Sequence, residues 1–313
     1  MIGIMWKVGE VKSRPGQYIR WENVGGAAPI PTNLGVNATL AQLNWGPVGK
    51  PFRVERSQME NLKTVVGGGT IGADAIYESF VGGSSYIEVV RVGNGGELAK
   101  ATLDDGEGGS MEFATLYPTD REFQILTRES LDGKKVEFII AEDGRRLETH
   151  EIDTEKEEDA ATQLTEMLKK SKYIQIVGEL SGEVPKGITA DFAGGSNPTA
   201  TAEDYTTMFE EINKRFWDGL FLDTTDEAIK AAANVFLRRR LEEGGRSFLF
   251  LAVDDIDASM EEKMNEAKSY NQFTTVLVGN GAKVAGRDLT GPLIAARIAG
   301  MSTSSSYKTG LTA

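Results

Sequence analysis

Some residues in this 313-residue sequence have types and spacings that suggest chemistry. Gly67, Gly69 and Gly72, within VVGGGTIGADAIYESF from Val65 to Phe80, stand at the G-x-G-x-x-G spacing of a turn that cradles a dinucleotide pyrophosphate. Asp223, and then Asp254, Asp255 and Asp257, each follow an apolar run. If those runs are parallel strands, the carboxylates can converge at one sheet edge, where such clusters hold Mg²⁺ for phosphoryl transfer. His150, the single histidine, lies in LETHEID among carboxylates.

Each possibility depends on the elements around it. A dinucleotide turn follows a strand and opens a helix, with an acidic residue ending the next strand to meet the ribose. Here Ser57 and Glu60 read as a capping box, and Met59, Leu62, Val65 and Val66 recur at helical spacing, so the glycines follow a helix. Glu88 lies inside YIEVVRV and not at its end. The glycines are therefore expected to cap one helix and link it to the next. The aspartates have an equally ordinary reading as loop and N-cap residues, and no lysine, histidine or phosphate-cradling loop is placed to assist them. Alternation along LETHEID puts His150 beside Glu148 on a solvated hairpin face. One histidine and no cysteine nearly exclude nucleophilic triads and ordinary zinc sites. No cofactor or metal is expected.

The last third of the chain alternates strand and helix. Thr201 and Asp204 cap a helix bearing Tyr205, Met208, Phe209, Ile212 and Phe216, and the apolar Leu220–Leu222 follows. Thr224 and Glu227 open a helix carrying Ile229, Ala233, Phe236, Leu237 and Leu241, which Gly244 and Gly245 end. SFLFLAV at 247–253 reads as a strand covered on both faces. Ser259 and Glu262 cap a helix with Met260, Met264 and Ala267. FTTVLVG at 273–279 is the next strand, and Thr290 caps PLIAARIAG. The pattern predicts an α/β fold, a mostly parallel sheet with helices on both faces. In the middle, EFQILT, VEFIIAE and LETHEI are separated by tight turns and predict an antiparallel meander, with Thr154 and Glu157 capping a helix and YIQIV at 173–177 a further strand. LDDGEGGS at 103–110 reads as a linker into this small α+β module. The expected organisation is an arm over 1–30, a discontinuous core over 31–102 and 175–313, and an inserted β-rich domain over 103–174.

Composition narrows the function classes. With 34 basic and 47 acidic side chains the net charge is −13 and no long basic run appears, which disfavours nucleic acid. The absence of cysteine excludes a disulfide framework and a thiol nucleophile. The opening MIGIMWKVGEVKSRPG lacks the features of a cleaved signal, and no apolar run is long enough to span a bilayer, so neither export by such a signal nor a membrane partner is expected. KSRPGQYIRWENV at 12–24 combines Pro15–Gly16 with β-prone Tyr18, Ile19 and Trp21, and reads as an extended segment that adds as a strand to its own core or to a neighbour.

Several blocks together resemble the tail sheath proteins of contractile phage tails and R-type bacteriocins. They are RPGQYIRW, NWGPVGKP at 44–51, YESFVGGSSYIEVVRV at 77–92, FAGGSNPTATAEDY at 192–205 and GPLIAARIAGMSTSSSY near the end. The resemblance spans nearly the whole chain and rests on the order and spacing of the blocks. It implies a three-layer α/β sandwich with an inserted β-rich domain, and a mechanical function with no catalysis. Six subunits would form each disc, discs would stack helically around a tail tube, and a baseplate signal would release a contraction that drives the tube through a cell envelope. The implied partners are other copies of the chain, the tube protein, and baseplate and tail terminator proteins. The implied location is a virion tail or bacteriocin particle of a contractile injection system, assembled in the bacterial host cytoplasm. Arg14, Pro15, Gly16, Tyr18 and Trp21 match the arm that links neighbouring subunits. TLYPTDREF at 115–123 keeps only Tyr117 and Pro118 of the Y-P-G-x-x-G-N stretch usual in that family. Family members also continue past the position of Tyr307 into a domain bearing a second arm, so this sequence, ending in GLTA, is expected to be a shortened form or a short member, monomeric on its own and unable to form a normal sheath. The alternative function is a Mg²⁺-dependent phosphoryl-transfer enzyme using Asp223, Asp254 and Asp255.

Overall fold

The computed structural model describes residues 35–104, 110–131, 133–154, 159–178, 180, 183–284 and 286–305. Arg14, Pro15, Gly16, Tyr18 and Trp21 of the expected arm lie outside the described residues.

Along the chain, β1 (Val36–Ala41) and β2 (Pro51–Glu55) lead into a 3-10 turn (Arg56–Asn61) that continues as the single-turn helix α1 (Leu62–Val65). Then come α2 (Ile71–Gly82), β3 (Tyr86–Arg91), β4 (Lys100–Asp104), β5 (Ser110–Thr115), β6 (Phe123–Glu129), β7 (Lys135–Glu142), β8 (Arg145–Asp153) and α3 (Ala160–Leu168). The remainder is β9 (Ile174–Val177), β10 (Thr189–Asp191), α4 (Ala202–Asn213), β11 (Gly219–Leu222), α5 (Glu227–Glu242), β12 (Phe248–Ala252), α6 (Met260–Tyr270), β13 (Thr275–Val278), β14 (Ala282–Val284), β15 (Arg287–Leu289) and α7 (Pro292–Ser304).

The main sheet has the order β13-β12-β11-β1-β3-β2, parallel throughout except for the antiparallel edge strand β2. The helical crossovers read from the last third are what a parallel sheet needs, because parallel neighbours cannot be joined by hairpins. β1 is central and every one of its residues is buried. Its Val36, Ala38 and Leu40 share a cluster with Tyr205, Phe209 and Ile212 of α4 and with Ala233, Phe236 and Leu237 of α5. Phe221 and Phe250 of β11 and β12 belong to a separate cluster with Ile76 and Phe80 of α2 and Ala296 and Ala299 of α7. A period of two along the strands and about 3.6 along the helices accounts for both clusters.

β6, β7 and β8 form the expected meander, joined by β10 in the order β10-β6-β7-β8, and a three-stranded antiparallel sheet has the order β4-β5-β9. Phe113, Phe138, Ile140, Ile152 and Leu164 of these strands and α3 build their own cluster. The stretch LDDGEGGS is not a linker: Leu103 and Asp104 end β4, Ser110 begins β5, and Asp104 pairs with Ser110 across the hairpin.

Several helix starts fall one to five residues from the expected caps. The first turn is opened by Glu55 with Gln58 and not by Ser57 with Glu60. α5 is capped by Asp226, whose carboxylate accepts from the Ile229 amide, while Thr224 accepts from the Asp226 amide. Gly291 precedes α7, so Pro292 and not Thr290 sets that boundary. Thr154 donates to the Lys134 carbonyl, and α3 begins after Asp159. Glu157 lies outside the described residues. The capping boxes at Thr201/Asp204 and Ser259/Glu262 are as expected.

α2 and α7 cross at glycine. A Cβ on Gly300 would collide with the Ser79 carbonyl, and one on Gly82 with the Arg297 carbonyl. Beneath the crossing, Asn37 of β1 donates to Ser84 Oγ at 2.7 Å and Thr303 Oγ1 at 3.0 Å, giving this buried polar strand residue its partners. Alanine favours a helix over glycine by about 1 kcal/mol, but overpacking a close crossing costs roughly 1–3 kcal/mol. Gly300→Ala is therefore expected to lower stability in urea unfolding; an increase would contradict the close crossing.

Candidate functional site

The carboxyl edge of the parallel sheet is where the sequence placed its chemistry. Asp223 directly follows β11 and is buried. Its Oδ1 accepts from the Tyr205 hydroxyl at 2.5 Å and its Oδ2 from the Gln42 amide at 2.6 Å. It ties the end of β11 to α4 and to the residue after β1. Burial pushes the Asp223 carboxyl up to about 6, against the hydrogen bonds it accepts. Burial, and then the facing Asp223 charge, push the Tyr205 hydroxyl up, so it stays a donor.

The other aspartates do not join it. Asp254 accepts from Thr225 Oγ1 at 2.6 Å, and Asp255 accepts from the Asp257 amide at 2.8 Å, both as exposed loop contacts. Among the described residues no group of three carboxylate or imidazole side chains is arranged to hold a metal ion. These aspartates therefore do what aspartate commonly does at a strand-to-helix turn, which is to bond local donors.

The glycine run has a structural role at the same edge. Gly67 (φ +82°), just past the end of α1, and Gly69 (φ +75°), just before the cap of α2, adopt the left-handed backbone, the first as a helix C-terminus often requires. Thr70 caps α2 by accepting from the Ala73 amide. Asn44 grips the run, donating to the Gly68 carbonyl at 2.9 Å and accepting from its amide at 3.0 Å. Gly72 lets α2 approach the end of β1, since a Cβ there would stand 2.8 Å from both Ala41 Cβ and the Gln42 carbonyl oxygen.

Sequence reasoning missed Arg91, the last residue of β3. It is fully buried, and its guanidinium donates to the carbonyls of Leu43 (2.7 Å), Gly46 (3.0 Å) and Pro118 (2.9 Å) and to Asn197 Oδ1 (3.3 Å). Burial pulls it down to about 10, partly opposed by Asp120, so it remains charged at neutral pH. Nearby, Trp45 packs against Tyr117 and Phe123, both with ring centroids 5.2 Å away. Arg121 lies 5.0 Å over Trp45 and forms a two-pronged ion pair with Glu142. Burial raises the Glu142 carboxyl, but Arg121 and Lys63 more than reverse this and leave it below its ordinary value. The available signal for Arg91 was a charged residue ending an otherwise apolar strand. Nothing in the sequence named its acceptors, which are mostly backbone carbonyls.

His150 is half-buried and not freely solvated, with Nε2 3.4 Å from Glu148 Oε2. Glu148 also accepts from Ser171 Oγ and the Lys172 amide, and these partners outweigh burial in holding it below the ordinary glutamate range.

No family model and no curated protein matches the chain by sequence. Solved structures do match. A sheath tail protein from Desulfitobacterium hafniense superposes with a TM-score of 0.69 at 19% identity, covering 95% of this chain and 64% of that one. A sheath tail protein from Listeria innocua gives 0.64 at 17% identity, covering 88% and 57%. The fold is tail-sheath-like. This chain spans less than two thirds of the length of either protein. Within the tail-sheath-like fold, Asp223, Arg91 and Asn44 are packing and positioning groups, each occupied by partners of its own chain.

The buried carboxyl sets a pH dependence. Because the folded value lies above the ordinary 3.8, the fold prefers protonated Asp223. The associated stability is fully present below about pH 4 and is lost as pH rises through about 6. Uncharged Asp223→Asn removes this dependence. Relative to wild type, the variant is expected to gain stability as pH rises from about 4 to about 6 and to hold that gain above it, by an amount on the order of 3 kcal/mol or less. A wild-type-minus-variant difference that is flat with pH in parallel urea titrations would contradict the assignment.

Proposed function

We propose that the chain is a structural subunit of a contractile tail sheath, which polymerises with copies of itself around a tail tube and contracts to drive the tube through a cell envelope. The observation that carries this reading is the tail-sheath-like fold over nearly the whole chain. Under it, residues 31–102 and 175–313 form a layered, discontinuous α/β sheath core and 103–174 an inserted β-rich domain. The antiparallel strands have a hydrophobic cluster of their own, distinct from those of the parallel sheet, and it also takes in Ala99, Ala101, Val184 and Phe192 from either side of 103–174. Baseplate, tail terminator and tube proteins are the further partners, and a phage tail or bacteriocin particle is the location. Among the described residues no helix is long and apolar enough to cross a membrane. The phosphoryl-transfer alternative loses its support because Asp223 is bonded to Tyr205 and Gln42 while Asp254 and Asp255 bond separate loop groups.

Residues 1–30, with Arg14, Pro15, Gly16, Tyr18 and Trp21, form the connecting arm, adding as a strand to a neighbouring copy. Backbone hydrogen bonds make such a link a hinge, so cores can move as rigid bodies without parting. Contact through one arm is weak, and the test accordingly uses concentrated protein. Electron microscopy and sedimentation of the whole chain are expected to show arcs, rings or concentration-dependent oligomers, which weaken markedly when residues 1–30 are deleted while the circular dichroism of the core is retained. Equal assembly with and without those residues would overturn the arm's role.

A further inference from the structure

The parallel sheet is polar, and its two edges carry opposite and complementary surfaces. At the amino edge, Phe216 is 64% exposed, Phe248 47% and Phe273 88%. They lie just before β11, at the first position of β12 and just before β13, three adjacent strands in register, with Gly219 beside Phe248 and Leu249 beside Thr275. The sequence pattern placed Phe216 on the apolar face of α4, but α4 ends at Asn213. The buried position goes to Trp217, whose indole donates to the Ile212 carbonyl. Solvent-facing Lys214, Arg215 and Arg246 stand in the same loops, Lys214 against Glu211 at 2.7 Å and Arg246 three residues after exposed Glu243.

At the carboxyl edge the loop after β12 exposes Asp254, Asp255 and Asp257, and α6 begins there with Met260, 73% exposed. Met264, one turn on, is half exposed, so both methionines of the expected buried stripe face solvent. Coherent apolar exposure of this kind on a folded surface marks an interaction site. Flexible thioethers pack well on aromatic rings, and the flanking charges have opposite sign.

We propose that these two edges are the two halves of one interface, in which the phenylalanine and cation edge of one subunit docks on the methionine and aspartate edge of a second copy. Because the halves lie at opposite ends of the same sheet, the contact is head-to-tail. Such a heterologous contact repeats without using up either surface and leads to an open-ended array unless its rotation closes a ring. The inference rests on the self-assembly reading and adds to it a contact between cores that is separate from the arm. Its contacts are charged rims around small apolar centres, the kind of surface that can be exchanged for another when subunits rotate.

Two charge-reversed forms of the whole chain test it, Lys214→Glu with Arg246→Glu and, separately, Asp254→Lys with Asp255→Lys. All four positions are exposed, so both forms are expected to fold. In sedimentation of concentrated protein each alone presents like charges at both edges and should associate at least about tenfold more weakly than wild type. An equal mixture restores one native contact and one swapped contact per pair and should recover open-ended association. Phe273→Ser should weaken association in the native background as well. If wild type assembles and the reversed forms assemble equally well alone, or the mixture fails to recover, this interface is overturned and the sheath reading stands. If wild type never associates under any assembly condition, both fall.

Discussion

A buried cation, bonded mainly to backbone carbonyls, ties several loops of the core to one point. Arg91 ends β3 where the chain leaves the parallel sheet, and it donates to three backbone carbonyls and to Asn197 on the segment by which the chain returns. Desolvating a guanidinium is costly, and only a complete set of acceptors offsets it. The loop Leu43–Gly46, the turn at Pro118 and the GGSN turn must therefore all sit within reach at once. The backbone bridges Asn94 to Thr199, Glu97 to Ser196 and Lys100 to Ala193 continue the same joint. Trp45, carried on one of those loops, enters the cluster of the antiparallel strands beside Tyr117, Phe123 and Arg121. The parallel and antiparallel parts thus meet through a polar joint next to an aromatic plug.

The glycine run belongs to the same joint. Its spacing matches a nucleotide turn, yet it follows a helix, and Asn44 occupies the Gly68 peptide group. Three aspartates at strand ends likewise match a metal site in spacing, but each is satisfied by a neighbour of its own. Edges of parallel sheets attract such residues because strands end there and helices begin, and the local donors need acceptors.

Periodicity carried the fold well. The strands around Leu220–Leu222, 247–253 and 273–279, the meander at 121–153 and the paired-residue caps of α4 and α6 are where the pattern puts them, because burial on one face or two dictates residue type at every step. Boundaries set by a single residue were less legible: Asp226, Gly291 and Asp159 displaced the nearby threonines as the residues flanking helices. The stretch at 103–110 has the composition of a linker, and only the pairing of β4 with β5 on either side of it shows that its ends lie side by side. Arg91 and Asn44 were illegible because their partners are backbone groups distant in sequence. Phe216, Met260 and Met264 continue an apolar period into solvent, and periodicity alone cannot separate a surface that packs within the chain from one that packs against another.

Under the proposed function the chain is a rigid subunit that works through its edges. Hydrogen exchange read by mass spectrometry, comparing dispersed with assembled protein, tests it most directly. Rigid-body assembly predicts new protection in the loops 214–218, 244–248 and 271–274 and in 254–262, with exchange in β1, β3, β11 and the Arg91 joint unchanged. Altered exchange throughout those central strands, or assembly without protection at either edge, would contradict it.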